Sequence, residues 1–394
     1  MTDQYILSDK IKKLSIGLGI IGLLSLIFGI LSGSIEASRV WANILFNNIF
    51  FLAMSLTAVF FIAAHVLGNA SWYIAIKRIP EAMGTFIPVI FVLMLIVAVF
   101  GMHDIYEWST HHGQEDKLIQ GKSAYLNTPF FIARIVIYFG LWIFLTHMIR
   151  KESLGEDKAA DTKYNKRTGV WAAIFVVVFA ISSSTATWDW IMSIDPHWFS
   201  TMMGWYVFSS LFVTAVSVIM LIVLYLKSLG HLEYVNASHI HDLAKLMFGL
   251  SIFWTYLWFC QFLLIWYANI PEETVYFRQR IDEHLVLFIL TFVINFIAPF
   301  FILMTRGSKR HVNTLVFMSI MLLIVHWLDF YLMIFPGVSH HMANDAHWMP
   351  GLLEIGLTLG YAGGYIFIVF RSLSKANLLP KNNPYLEESL HHNI

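Results

Sequence analysis

This 394-residue chain is poor in cysteine and in charge. Its one thiol, Cys260, excludes a disulfide within the chain and a four-cysteine iron–sulfur cluster. No Cys-x-x-Cys-His occurs, so no c-type haem is attached covalently. Charged residues make up only 13% of the chain, against about 25% in a soluble domain. Lys and Arg balance Asp and Glu at 25 each, so no basic surplus speaks for nucleic acid. Apolar residues fill the gap. The chain is 58% hydrophobic with a mean hydropathy of +0.67, and its 14 Trp and 33 Phe suit interfacial belts and lipid-facing surface. The apolar runs are continuous, whereas barrel strands alternate over about ten residues. The expectation is an all-α polytopic membrane protein, because lipid offers no partner for unpaired backbone groups.

A span needs about 20 mostly apolar residues. Ten runs qualify: 14–33, 44–76, 82–104, 126–150, 168–191, 203–227, 243–269, 283–305, 310–335 and 350–374. The first follows Lys10, Lys12 and Lys13 as a signal peptide would. It is longer than a signal h-region and lacks an Ala-x-Ala site, so it reads as a span. An even number of spans puts both termini on one side. Most Lys and Arg fall there as well. Only Arg39, Lys117, Lys122, Arg278 and Arg280 face the other side, with Arg134 and Lys245 inside spans. The positive-inside rule then makes the terminal side cytoplasmic. The loops leave no room for a soluble catalytic domain, so any chemistry lies in the bundle or on a docked partner.

A short repeat suggests how the spans group. Trp188-Asp189-Trp190 ends the fifth span, with Pro196 seven residues after the Asp; Leu328-Asp329-Phe330 ends the ninth, with Pro336 seven after. An offset of four spans implies two related four-helix bundles, 44–191 and 203–335, flanked by 14–33 and 350–374 in a single membrane domain. Gly17-x-Gly19 and Gly360-x3-Gly364 mark close helix packing in the flanking spans.

Charge at bilayer depth costs at least about 2.5–3.5 kcal/mol, so it is kept with a partner or a task. Asp104, Arg134, Asp189, His284, His326, Asp329 and Glu354 all lie inside spans or at their ends, toward the non-terminal side. From the helical rise, Arg134 lies about 12 Å and Asp329 about 9 Å from that end. Arg134 at such depth calls for a carboxylate from a neighbouring helix, Asp104 or Asp189. His326 and Asp329 are three apart and share a helix face. Imidazole beside carboxylate can hold or pass a proton near neutral pH. Toward the terminal side only His65, His147 and Lys245 stand out, as candidates for an inner half-channel, with Asn295 and Gln261 as further polar steps. His65 and His326 differ in depth, which disfavours a bis-histidine haem. His340, His341, His347 and Asp345 read as a surface loop, since their spacing fits no zinc motif.

Three segments carry a family resemblance. They are Leu126-Asn127-Thr128-Pro129-Phe130-Phe131-Ile132-Ala133-Arg134, the run from Trp188-Asp189-Trp190 through Asp195-Pro196-His197-Trp198, and His326-Trp327-Leu328-Asp329-Phe330-Tyr331 with Pro336. Together they resemble the polysulfide-reductase-like (NrfD-type) membrane subunits, most closely the F-subunit branch of alternative complex III, a quinol:cytochrome c oxidoreductase. The resemblance implies ten helices in two four-helix bundles and a subunit with no redox cofactor of its own. Quinol, expected as menaquinol, is the implied substrate. The implied partners are a homologous C subunit, extrinsic iron–sulfur and c-type cytochrome subunits that hold the clusters and haems, small membrane-anchored subunits, and a terminal oxidase, in a bacterial cytoplasmic membrane. Quinol hydroxyls lose protons as electrons leave, so a base is needed near the outer face. His326, Asp329, Asp189 and Asp104 are the expected bases or relays, and Arg134 the orienting group. The rival readings are a proton-coupled transporter, which internal repeats and midplane ionisable residues also suit, and a scaffold that only anchors redox partners.

Overall fold

The computed structural model describes residues 3–32, 35–159, 161–342 and 348–393. Asp345 and His347 lie outside these, as do the side chains of His112 and Gln114. The protein is all-α, with ten helices long and apolar enough to cross a membrane among the described residues. They are α1 (Asp9–Leu31), α2 (Ala37–Leu67), α3 (Arg78–Ile105), α4 (Thr128–Glu156), α5 (Thr162–Trp190), α6 (Met203–Ser228), α7 (Ala237–Ala268), α8 (Pro271–Ile302), α9 (Val312–Met342) and α10 (Leu352–Leu373).

Local sequence sets the helix ends. Asn127 caps α4 by accepting from Phe130 N at 3.0 Å, with Pro129 in the first turn. Asn236 and His239 form a capping box on α7, which ends on Asn269 in the left-handed conformation. Pro271 then opens α8, where its missing N–H costs nothing. With 32 residues each, α7 and α8 are about 48 Å long, well beyond a hydrocarbon core of about 30 Å. The first turns of each are polar: Ser238, His239, His241 and Asp242 on α7, and Glu272, Glu273, Arg278 and Arg280 on α8.

Two expected boundaries are corrected. The second apolar run reads as continuous to residue 76, but α2 stops at Leu67. Gly68 and a left-handed Asn69 turn the chain, and Trp72–Ile76 forms a separate 3-10 turn. The eighth span was expected from residue 283, yet helix begins at Pro271. Its first turns carry Glu272, Glu273, Arg278 and Arg280, which a hydropathy window reads as loop.

α2, α3, α4 and α5 pack as neighbours around a closed ring, and α6, α7, α8 and α9 around a second. The rings meet along α2, which touches α6 and α9, and along α5, which touches α6. α1 and α10 pack on each other and reach the rings through α2 and the first turns of α3. Their crossing is backbone on backbone: a Cβ on Gly22 would lie 2.4 Å from Gly360 Cα.

Both termini lie on one face, joined by a bridge between Gln4 and Asn377. The segment after α10 crosses this face. Asn383 meets Glu156 at 3.0 Å and His392 meets Asp242 at 2.6 Å. Beneath it, buried Arg78 bonds Glu81 (2.8 Å), Ser153 (3.0 Å) and Asp157 (2.6 Å).

Candidate functional site

Each helix of the second ring contributes buried polar residues at helical spacing. These are Tyr206, Ser210, Thr214 and Ser217 on α6; Ser251, Thr255 and Gln261 on α7; His284, Thr291 and Asn295 on α8; and Ser319, His326 and Asp329 on α9. Apart from Gln261, which comes six residues after Thr255, steps of three, four or seven place each set on one helix face. Asp329 is the hub. Its carboxylate accepts from the Tyr206 hydroxyl, from Ser210 Oγ at 2.7 Å and from Trp254 Nε1 at 3.0 Å. Three donors from two other helices complement an acceptor-only group that is 1% exposed. His326 Nδ1 lies 3.6 Å from Asp329 Oδ2, beyond hydrogen-bond range, and its ring stands edge-on to Trp254. Neither His326 ring nitrogen has a hydrogen-bond partner among the described residues. The shared helix face expected for this pair is present, but the bonds to Asp329 come from α6 and α7.

Arg280 stands over the site and was missed at the sequence level, where it counted as a loop cation. It is 2% exposed. Its guanidinium donates to Leu332 O at 2.7 Å, Tyr276 O at 2.7 Å and Met333 O at 3.3 Å, and lies 3.3 Å from the Tyr276 ring centroid. The Leu332 contact has a covalent cause. Pro336 sits inside α9 without an N–H, so the carbonyl four residues earlier loses its helical donor. Arg280 supplies the donor instead, and Gln279 bonds Pro336 O at 2.7 Å. Between Arg280, Asp329, Tyr206, Gln261 and Thr291 lies a cavity of about 20 Å³, room for one water but not for a quinone ring.

From Arg280 the polar set continues to the non-terminal face. Asp195, in the loop after α5, lies 3.9 Å from Arg280 Nη2. His341, at the end of α9, bridges Asp195 at 3.0 Å and Glu107 at 3.1 Å. Glu107 belongs to the loop after α3, so this one imidazole ties both rings together. The His341 imidazole beside it holds the Glu107 carboxyl below the usual range. Burial works against charge on Asp195, but His341 and Arg280 outweigh it and hold that carboxyl low too. His341, expected in a surface loop, is a half-buried junction.

The first ring holds a related pair. Arg134 Nε donates to Asp189 Oδ2 at 2.7 Å, and both side chains are buried. Of the two carboxylates expected for Arg134, Asp189 is the partner. The guanidinium lies 3.9 Å from the Tyr125 ring and 4.4 Å from Phe130, four residues before it. Arg280 repeats this geometry with Tyr276, also four residues before it. The two Asp…Pro motifs diverge, however. Regular helix ends at Trp190, ahead of Pro196, whereas α9 runs through Pro336. The run from Trp188 to Trp198 joins the rings: Asp189 takes Arg134, Asp195 takes His341, and Trp198 stacks on Tyr276 at 4.1 Å.

The remaining candidates are dispersed. Asp104 is half-buried at the outer end of α3 and outside both clusters. His284 is buried at a kink in α8, with φ −130° and ψ 32°, its ring edge-on to Tyr331. Glu354 is fully engaged: it accepts from Arg39 at 2.9 and 3.1 Å, from Asn43 at 2.9 Å and from Gly351 N at 2.8 Å. That set staples α10 to α2. The three inner candidates do not meet. His65 bonds Phe61 O at 2.7 Å, Lys245 pairs with Asp242 at 2.5 Å, and His147 opens onto a surface cleft beside α10. Gln261 lines the cavity at Asp329, and Asn295 follows one turn beyond Thr291. Among the described residues no group of three or more His, Cys, Asp or Glu could hold a metal ion. No family model matches the chain, and no curated protein matches it.

Proposed function

We propose that this chain is the integral membrane subunit of a quinol:cytochrome c oxidoreductase of the alternative complex III type, in which it handles protons rather than electrons. One observation carries the reading. Buried Asp329, with its Tyr206, Ser210 and Trp254 donors, shares a water-sized cavity with Arg280, from which Asp195, His341 and Glu107 lead to the non-terminal face. The resemblance of the Trp188–Trp198 and His326–Pro336 segments to NrfD-type subunits supplies the class of complex. The terminal face is then cytoplasmic, in a bacterial inner membrane, as the distribution of Lys and Arg favours.

Quinol oxidation frees two protons near the outer face, and they need acceptors whose charge is supported. In this reading Asp329 takes a proton in passing and gives it up again, since the hydrogen bonds from Tyr206, Ser210 and Trp254 suit its carboxylate form. From the water-sized cavity the proton moves toward Asp195 and Glu107, which His341 holds together at the non-terminal face. Arg280 stands between the cavity and Asp195, so the proton passes between carboxylates beside a fixed positive charge. The site is too small for a quinone ring, which favours a proton path over a quinol pocket at this position.

The test is Asp329→Asn in the assembled complex. Quinol-driven cytochrome c reduction is expected to fall by about tenfold or more, or, at a retained rate, fewer protons are expected to appear on the outer side per electron. Wild-type rate and stoichiometry together would remove Asp329 from the mechanism.

A further inference from the structure

A second feature of the molecule lies outside this polar core. Where α4, α5 and α10 end on the terminal face, a cleft of about 940 Å³ opens between them. Six cations line it: Arg150, Lys151 and Lys158 from the α4 end, Arg167 from α5, and Arg371 and Lys375 from the α10 end. Glu152 is the one carboxylate among the lining residues, and it is buried. Among the described residues none of the six forms an ion pair within 4 Å, whereas buried Arg78 and Lys77 nearby are both paired. Arg150 donates to Ser372 O at 3.3 Å, which ties α4 to α10 across the cleft. The wall toward the bilayer is different. It is formed by Thr85, Phe367 and Ile368 of membrane-spanning helices.

We propose that this cleft binds an anionic phospholipid, its phosphate held by the basic rim and its acyl chains lying along Phe367 and Ile368. Charge complementarity carries the assignment. Six like charges from three helices converge on one concavity at the level where a helix leaves the hydrocarbon. Basic pockets between helices at that level suit phosphate-bearing headgroups. The amphipathic wall distinguishes a lipid from a free anion, because inorganic phosphate gains nothing from apolar residues. A doubly anionic diphosphatidyl lipid matches the excess of positive charge better than a monoanionic one.

The experiment uses the full chain, delipidated in neutral detergent, and follows displacement of a fluorescent cardiolipin by unlabelled lipids. Cardiolipin should compete best, phosphatidylglycerol less well and phosphatidylcholine not at all. Each neutralised cation should weaken cardiolipin about fivefold, so R167Q alone gives about fivefold and R167Q/R371Q/K375Q about a hundredfold. R167K/R371K should bind like wild type. Helix content and thermal midpoint in detergent establish that the triple variant is folded; if it is not, the single variant still decides. Unchanged binding in R167Q, or equal competition by phosphatidylcholine, overturns the proposal. Displacement by millimolar inorganic phosphate with the same dependence on the variants assigns the cleft to a free anion and also overturns it. So does displacement by an acidic peptide but by no lipid.

Discussion

Arg280 and Pro336 should be energetically coupled although they lie on different helices. In Arg280→Met the Leu332 carbonyl loses its 2.7 Å donor while buried, at a cost of about 1–3 kcal/mol. Loss of the guanidinium from the Tyr276 ring adds about 0.5–2 kcal/mol. Tyr276 O is within α8 itself and falls back on its helical donor, so it adds nothing. Relief from burying a charge offsets part of the total, leaving a net destabilisation of about 3 kcal/mol. Pro336→Ala restores an N–H four residues after Leu332. In that background the carbonyl no longer needs Arg280, and Arg280→Met should cost about 1–2 kcal/mol less. The assay is reversible unfolding in mixed detergent–dodecyl sulfate micelles for wild type, both single variants and the double. Additivity of the two substitutions within about 0.5 kcal/mol would refute the claim that Arg280 repairs the helical break.

Further outcomes follow from the same contacts. Glu354→Gln should lower stability by about 2–3 kcal/mol through loss of charge on the Arg39, Asn43 and Gly351 hydrogen bonds. It should leave proton release per electron unchanged, and a fall in that ratio would give Glu354 a functional part. Gly360→Ile puts a side chain where Gly22 Cα lies 2.6 Å from an added Cβ. Cysteine pairs placed across α1 and α10 should then lose their cross-link, while the rings stay folded. His341→Ala should destabilise the protein at neutral pH by about 2–3 kcal/mol. Glu107 and Asp195 are held below their ordinary values, so the stability they contribute is full above about pH 4 and fades as pH falls through the lowered values. The gap between wild type and variant, read by unfolding at a series of pH values, should therefore close in acid; a constant gap would disprove the ionic junction.

Ten spans were legible because runs of about 20 apolar residues have one reading in lipid. The ends of the helices were not. Residues 271–283 are polar helix beyond the hydrocarbon, and hydropathy scores them as loop; the spacing of Tyr276, Arg280 and His284 by four was the signal that could have found Arg280. The Arg134–Asp189 pair followed from cost, since a deep guanidinium must be neutralised and few carboxylates share its depth. The partners of Asp329 could not be read in the same way. Which of α6, α7 and α8 turns a hydroxyl or an indole toward α9 depends on helix rotation, and Tyr206, Ser210 and Trp254 are unremarkable in sequence. His147 shows the converse. Its depth was readable, but the rotation of α4 that turns it into the cleft beside α10 was not.

The wall between the two rings bears on what this molecule can do mechanically. Phe60 of α2 stacks on Phe179 of α5 at 4.9 Å and meets Phe208 and Phe212 of α6 edge-on at 5.4 Å. Farther along α2, Phe46 and Phe50 interlock with Trp327, Phe330 and Phe335 of α9. A rocking machine needs a slippery plane between its halves, and these interdigitated aromatics are closer to a gear locked in mesh. Swinging one ring against the other would pull several rings from their sockets at once, at about 1 kcal/mol or so per pair beyond the lost area. Any transport through this protein would therefore run through a stationary frame.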